Sequence, residues 1–483
     1  MIPAEMNHER YLKGIPMHYR ARFLFSVICI FVFPVVFYFS YPSFAEEKLS
    51  DRVYEKTLTN GLKVILLENR KAPVVTVQVW YRVGSRNEAW GKTGLSHFLE
   101  HMMFKGSKRF SAEEFVRIIE ENGGNNNAFT SRDYTAYYVN ISADRAAIPL
   151  ELDADRMTYA LFDEKDFLTE RDVVLEERRL RTEDNPQSFL YEQVFATAFQ
   201  VHPYHWPIIG WMEDIGRITL ADVKEYYERF YAPANAFIVV VGDFSRDELL
   251  PEIEKTFGSL IKKPAPNQEV SREPVQHGER RAVVNREGLV PALMIGYHVP
   301  NLKNQDSYVL EVIEAILSLG KSSRLYEQIV RDKQLALTIN AHNPLLSRDP
   351  SLFFVSAELM SGKDLSALEK AIDEEILRLH NEPVSYLELE KARNQLEAAF
   401  IYGQDSVFYR AMVLARYEIA DNWRTADDYL PAIRKVTQDD ILRVARRYLV
   451  PANRTLGTFM PVPSKKAKQA NPQPPVNEPE LNS

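Results

Sequence analysis

The pentapeptide His97-Phe98-Leu99-Glu100-His101 constrains this chain more than any other stretch. Leu95, Phe98, Leu99, Met102 and Met103 recur at helical spacing around it, which predicts a short buried helix. On such a helix His97 and His101, four residues apart, project from one face, where two imidazoles can grip a single metal ion. Glu100 lies on the same side. Two His and a carboxylate that is not itself a ligand make a hydrolytic zinc site: the metal activates a water and the carboxylate takes its proton. The order His-x-x-Glu-His inverts the more familiar His-Glu-x-x-His. Chance can place five such residues in a chain with ten His, so the reading calls for a third ligand further along.

A helix from Glu164 to Glu183, stopped by Asn185-Pro186, supplies candidates. Glu170 and Glu177 are two turns apart and share a face with Val173 and Val174, which reads as an inward face. A glutamate from this helix would complete a two-His, one-carboxylate site, with Glu170 free to hold an imidazole N–H. Spacing alone leaves Glu176 and Glu177 both open as the ligand.

The rest of the chain supports an exported globular protein of two or more domains. Its 483 residues leave ample room for cores, and a net charge of −8 argues against nucleic acid as a partner. Residues 1–45 read as a signal peptide or retained signal anchor. Arg10, Lys13, Arg20 and Arg22 precede an apolar run from Phe23 to Phe39, and Ser43-Phe44-Ala45 offers a cleavage site before Glu46. Cys29 is the one cysteine, so no intramolecular disulfide is possible.

From Tyr54 the pattern is β-rich. Tyr54 to Thr59 and Leu62 to Leu67 flank Asn60-Gly61 as a hairpin, and Val74 to Val83 alternates as a further strand. A helix capped by Ser111 spans Ala112 to Glu121, and Tyr134 to Ile141 is another strand. Between them, Gly123 to Thr130 reads first as a Gly-Asn loop entering an internal strand. An edge strand able to pair with a peptide is the second reading.

These strings together resemble the pitrilysin/insulinase family of zinc metallopeptidases, in particular its two-domain bacterial and mitochondrial-processing-peptidase-like members. The resemblance rests on His97-x-x-Glu100-His101, on Gly124-Asn125-Asn126-Asn127-Ala128-Phe129-Thr130 with Asp133 and Thr135, and on Glu170 to Glu177. His202-Pro203-Tyr204 with Gly210, and Tyr231-Ala232-Pro233-Ala234-Asn235 with Val241-Gly242-Asp243, extend it. It implies one Zn2+ per chain held by His97, His101 and Glu177, with Glu100 as base and Glu170 as supporting carboxylate. It makes Asn127, Ala128 and Phe129 the substrate-binding strand, and leaves His202 and His205 in a structural or substrate-side loop.

The second half repeats the first. Ile218-Thr219-x-x-Asp222 to Pro233-Ala234-Asn235 matches Val436-Thr437-x-x-Asp440 to Pro451-Ala452-Asn453. A helix from Ser307 to Leu319 sets Glu311, Glu314 and Ala315 where His97, Glu100 and His101 stand, so the second copy has no metal site. The expected fold is α+β, two homologous domains each with a mostly antiparallel sheet packed with helices, zinc in the first. Residues 46–263 form the catalytic domain, 264–281 a linker, 282–461 the metal-free domain and 462–483 a disordered tail.

Three functions follow: a zinc endopeptidase cutting peptides or unfolded segments, an assembly or scaffolding subunit of the same fold, or a non-proteolytic zinc hydrolase. The resemblance also implies that the metal-free domain offers an Arg and, seven residues on, a Tyr to the substrate. Arg331 fits the Arg, but Thr338 stands at the Tyr. The expected partner is therefore a metal-free homologous subunit that supplies the Tyr, with a homodimer as rival.

Overall fold

Two sheets of matching strand order organise the chain. The computed structural model describes residues 48–462 apart from 269 and 270. The signal or anchor segment and all of the tail beyond Val462 lie outside the described residues. The first sheet holds β1 (Val53–Thr57), β2 (Lys63–Glu68), β3 (Val74–Tyr81), β4 (Asn125–Thr130), β5 (Thr135–Ser142) and β6 (Ala236–Gly242) in the order β1-β2-β6-β3-β5-β4. The second holds β7 (Arg280–Glu287), β8 (Ala292–Val299), β9 (Ala336–His342), β10 (Ser351–Leu359) and β11 (Arg454–Val462) in the order β7-β11-β8-β10-β9. In each, one parallel pair, β2 with β6 and β7 with β11, sits in an otherwise antiparallel sheet. The repeat seen in sequence is thus a repeat of topology, with β1 as an addition to the first copy. The capping boxes of Thr219 with Asp222 and Thr437 with Asp440 open equivalent helices, each leading into a central strand.

Strand alternation divides the first sheet between two cores. Val75, Val77, Val79 and Tyr81 of β3 face the helix Leu95–Met102, joining Phe98, Leu99 and Met102 in one buried cluster. On the opposite face, Trp80 with Ile65, Leu67, Phe237 and Val239 packs against a helix of the second half, Val407–Ala420, through Ala411, Leu414 and Ala415. The exchange is reciprocal. The helix Pro186–Ala198, from the first half, lays Leu190, Val194 and Phe195 on Ala292, Met294 and Phe459 of the second sheet. Gly457 permits this approach, since a Cβ there would stand 2.3 Å from Val194 Cγ2.

Three expectations need correction. Asn125–Thr130 is an edge strand and not a loop leading into an internal strand: β4 pairs with β5 alone. Val173 points to solvent while Val174 is buried, because the inward face of the Glu164–Arg178 helix is narrower than the pattern suggested. The stretch expected as a linker ends in structure, with β7 beginning at Arg280, and Glu273 within it accepts the N–H groups of Gln200, Val201 and His202.

Candidate metal centre

The site is built by fixing one helix against another. The helix Leu95–Met102 starts abruptly at Gly94, whose φ of +89° suits glycine and whose missing Cβ would otherwise lie 2.4 Å from Ile209 O. The free N–H groups at this end are taken by carboxylates. Gly94 N and Ser96 N each donate to Glu88 at 2.7 Å, and Thr93 N donates to Asp214 at 3.2 Å. Glu88 is buried, and burial pushes its carboxyl up to about 8.

The second helix, Glu164–Arg178, is capped by Asp163, which accepts from Asp166 N at 2.9 Å. Phe167 meets Phe98 with ring centroids 5.3 Å apart, fixing the helices together. Its far end is locked by Arg178, buried and bidentate to Glu192 at 2.6 and 2.9 Å, with a further bond to Gly210 O at 2.8 Å. That lock sets the rotation of the neighbouring residue. Glu177 turns inward, whereas Glu176 is exposed and pairs with Arg179 at 2.8 Å.

Four of the expected residues converge. His97 Nε2 and His101 Nε2 lie 3.7 and 3.2 Å from Glu177 Oε2, and one donor atom from each residue falls within 4.8 Å of the others. On the other side of its ring, His101 Nδ1 lies 3.1 Å from Glu170 Oε2, and Lys105 pairs with the same carboxylate. Burial, then the neighbouring His101, pushes His97 down to about 4. Burial works against charge on His101 as well, yet its hydrogen bonds to Glu170 and Glu177 raise it to about 9. Two imidazoles and a carboxylate are a donor set that suits zinc, so the residues fit the metal that the spacing implied.

Glu100 lies beside the donors, on the same helix. Burial raises its carboxyl, opposed by the Thr130 hydroxyl, which donates to Oε2. His97, Glu177 and Glu100 open into a cavity of about 660 Å³. Ala128 and Phe129 of β4 line it, with Thr338 and Asn340 of β9 in its wall as well. Asn127, next to them on β4, is exposed. Arg331 is not brought to the cavity: its guanidinium is exposed and paired with Glu327 and Asp332. His205 lines the cavity beneath Trp90, while His202 Nε2 reaches Asp349 of the second half at 3.1 Å, so the two residues divide between substrate side and structure. Sequence reasoning missed Glu88, Thr130 and the Arg178–Glu192 pair. Their partners are up to 30 residues away, and only Thr130 stood within a quoted motif.

With this geometry in view, family models match two stretches: Insulinase (Peptidase family M16) at residues 63–210 and the Peptidase M16 inactive domain at 217–396. The chain belongs to peptidase family M16. The zinc protease PqqE of Helicobacter pylori is 38% identical over 81% of this chain and 89% of its own. The uncharacterized zinc protease YmxG of Bacillus subtilis is 26% identical over 81% and 94%. Among solved structures, a protease from Helicobacter pylori superposes with a TM-score of 0.82 at 36% identity, over 85% of this chain and 99% of that one. The first half of the periplasmic protease PqqL from Escherichia coli shares the fold, with a TM-score of 0.70 at 18% identity over 88% and 94%. M16 membership makes the chain a peptidase-family protein, and the inactive-domain match covers much of the second half, where the described residues hold no metal cluster.

Proposed function

We propose that this M16 protein is an exported zinc-dependent endopeptidase that hydrolyses peptides or unfolded segments. The observation that carries the reading is the convergence of His97, His101 and Glu177 within 4.8 Å, at a cavity that His97, Glu177 and Glu100 line. A zinc ion there supplies the Lewis acidity that lets water attack a peptide carbonyl at neutral pH. The residues of the chain do the rest. Glu100, its carboxyl raised by burial and held by Thr130, takes the proton of the attacking water and returns it to the leaving amine. Glu170 keeps the His101 ring turned toward Glu177. The free edge of β4 receives the substrate backbone as an added strand, and Phe129 beside it offers apolar contact.

Export is supported by the periplasmic fold neighbour and by the N-terminal pattern, whose residues lie outside those described. Among the described residues no helix is long and apolar enough to cross a membrane. A second reading, a weakly active subunit that works with or supports a partner, is favoured by Thr338. Its short hydroxyl stands in the cavity wall and donates to Glu358 at 3.2 Å. A metal-free homologue would then supply the missing phenol, and Arg331 would act there only after leaving its local ion pairs.

The test is the purified chain on a quenched peptide library, with and without chelator and beside Glu100→Gln. Cleavage that chelation abolishes, and that Glu100→Gln lowers ~10²–10⁴-fold with zinc retained, supports the reading. Metal-bound protein with no cleavage of any peptide would leave the subunit reading in its place.

A further inference from the structure

The topological repeat places a second cavity, of about 420 Å³, where the metal cavity's counterpart belongs. Its elements correspond one by one. The helix Asp306–Ser318 stands for the metal-binding helix, the end of β9 for β4, and Tyr386–Gly403 and Val407–Ala420 for the helices of Glu177 and Leu190. The two cavities adjoin, with Arg132, Tyr191, Phe195 and Ile208 lining both.

Glu311 and Glu314 face this second cavity. Among the described residues, neither carboxylate has a lysine or arginine nitrogen within 4 Å; the nearest ring nitrogen, His342 Nδ1, is 3.9 Å from Glu314. Asn343, 3% exposed, also lines the cavity. Its Nδ2 donates to Glu311 at 2.7 Å and to Ser307 O at 3.1 Å, and its backbone N donates to Glu314 at 2.7 Å. Its Oδ1 accepts from nothing among the described residues. A buried amide oxygen without a donor is unfavourable unless a ligand satisfies it. Two carboxylates and an orphaned carbonyl form a set of acceptors. They call for a group that brings several N–H donors and a positive charge. A bare metal ion suits them less, since the cavity offers two carboxylates and, among the described residues, the one group of three or more His, Cys, Asp or Glu gathered closely enough for a metal is His97, His101 and Glu177. The aromatic walls, Phe400, Tyr409 and Tyr429, suit an organic cation.

We propose that this cavity is a second binding site, for an ammonium or guanidinium group, held by Glu311, Glu314 and Asn343 Oδ1. The cation is a basic side chain of a peptide or a free amine. The site is independent of the peptidase reading, since its test measures binding without turnover. Burial, then the neighbouring Glu314, raises Glu311 to about 8, while Asn343, Arg416 and Tyr429 pull the other way. Binding a cation favours the ionised carboxylate, so it expels a proton and tightens as pH rises through about 8.

Calorimetric titration of the full chain tests this with a capped tripeptide carrying one lysine, the same peptide acetylated at that lysine, and n-butylamine. The lysyl peptide is expected to bind at least about tenfold more tightly than its acetylated twin. Proton release should accompany binding below about pH 8 and fade above it. The double variant Glu311→Gln/Glu314→Gln should lose about tenfold or more in affinity. Glu314→Gln alone, at a half-buried position, should show a smaller loss and guards against a misfolded double variant. n-Butylamine binding as tightly as the peptide, and with the same sensitivity to these variants, would support the site with a free amine as its ligand. Equal affinity of the acetylated peptide, or affinities unchanged in folded variants, would overturn the proposal.

Discussion

Glu170 Oε2 stands 3.1 Å from His101 Nδ1, the ring nitrogen opposite the one that faces Glu177. With a metal bound, that carboxylate would hold the Nδ1–H and leave the Nε2 lone pair for the ion. Glu170→Ala is expected to weaken zinc binding about 10–100-fold, and Glu170→Gln, which keeps an acceptor oxygen, to weaken it less. Competition with a chelating dye reads both. Equal affinities in wild type and Glu170→Ala would remove the orienting role.

Glu176 and Glu177 are neighbours with opposite fates. Glu177→Gln should lower zinc occupancy sharply, since it removes the anionic donor of the set. Glu176→Gln should leave occupancy near one per chain, because that side chain meets only Arg179 at the surface. Elemental analysis of the dialysed variants decides it, and loss of zinc from Glu176→Gln would reverse the assignment.

Thr338 gives a gain-of-function prediction. It lines the metal cavity yet cannot reach far into it, and one missing donor to a developing oxyanion typically costs ~10²–10³ in rate. Thr338→Tyr should raise kcat of the chain alone, and adding a metal-free homologue should raise that of the wild type. A chain already fully active by itself, unchanged by either, would dismiss the need for a partner.

Stability should depend on pH through Glu88. Its folded-state carboxyl is raised from 4.5 to about 8, so the folded chain keeps a proton that the unfolded chain has released. The stabilisation is fully present below about 4.5 and is lost as pH rises to about 8. Tm should therefore fall across that window, and fall less steeply in Glu88→Gln. The other buried carboxyls keep their own slope. Parallel Tm curves for the two proteins would contradict this.

What could be read beforehand followed physical range. The motif helix and its apolar partners obey a local period, and the capping boxes of Thr219 and Thr437 are complete within four residues, so both were legible. The choice of Glu177 over Glu176 came only with the family resemblance; in space it is set by Arg178 reaching Glu192, a distance along the chain that periodicity does not register. The three asparagines of β4 disguised a strand because an edge needs little apolar side chain to hold it. The local pattern of Pro186–Ala198 and Val407–Ala420 concerns each helix by itself. It carried no hint that each would bury its face in the other half of the molecule.

That exchange of helices bears on how the chain can be cut and reassembled. A fragment ending at residue 263 would expose Trp80 and Phe237, which need Leu414, and would present Leu190 and Val194 with nothing to cover. Neither half is a self-sufficient folding unit, whatever the linker between them suggests. Two separately produced fragments should instead recover structure only when mixed, each serving as the template on which the other completes its sheet.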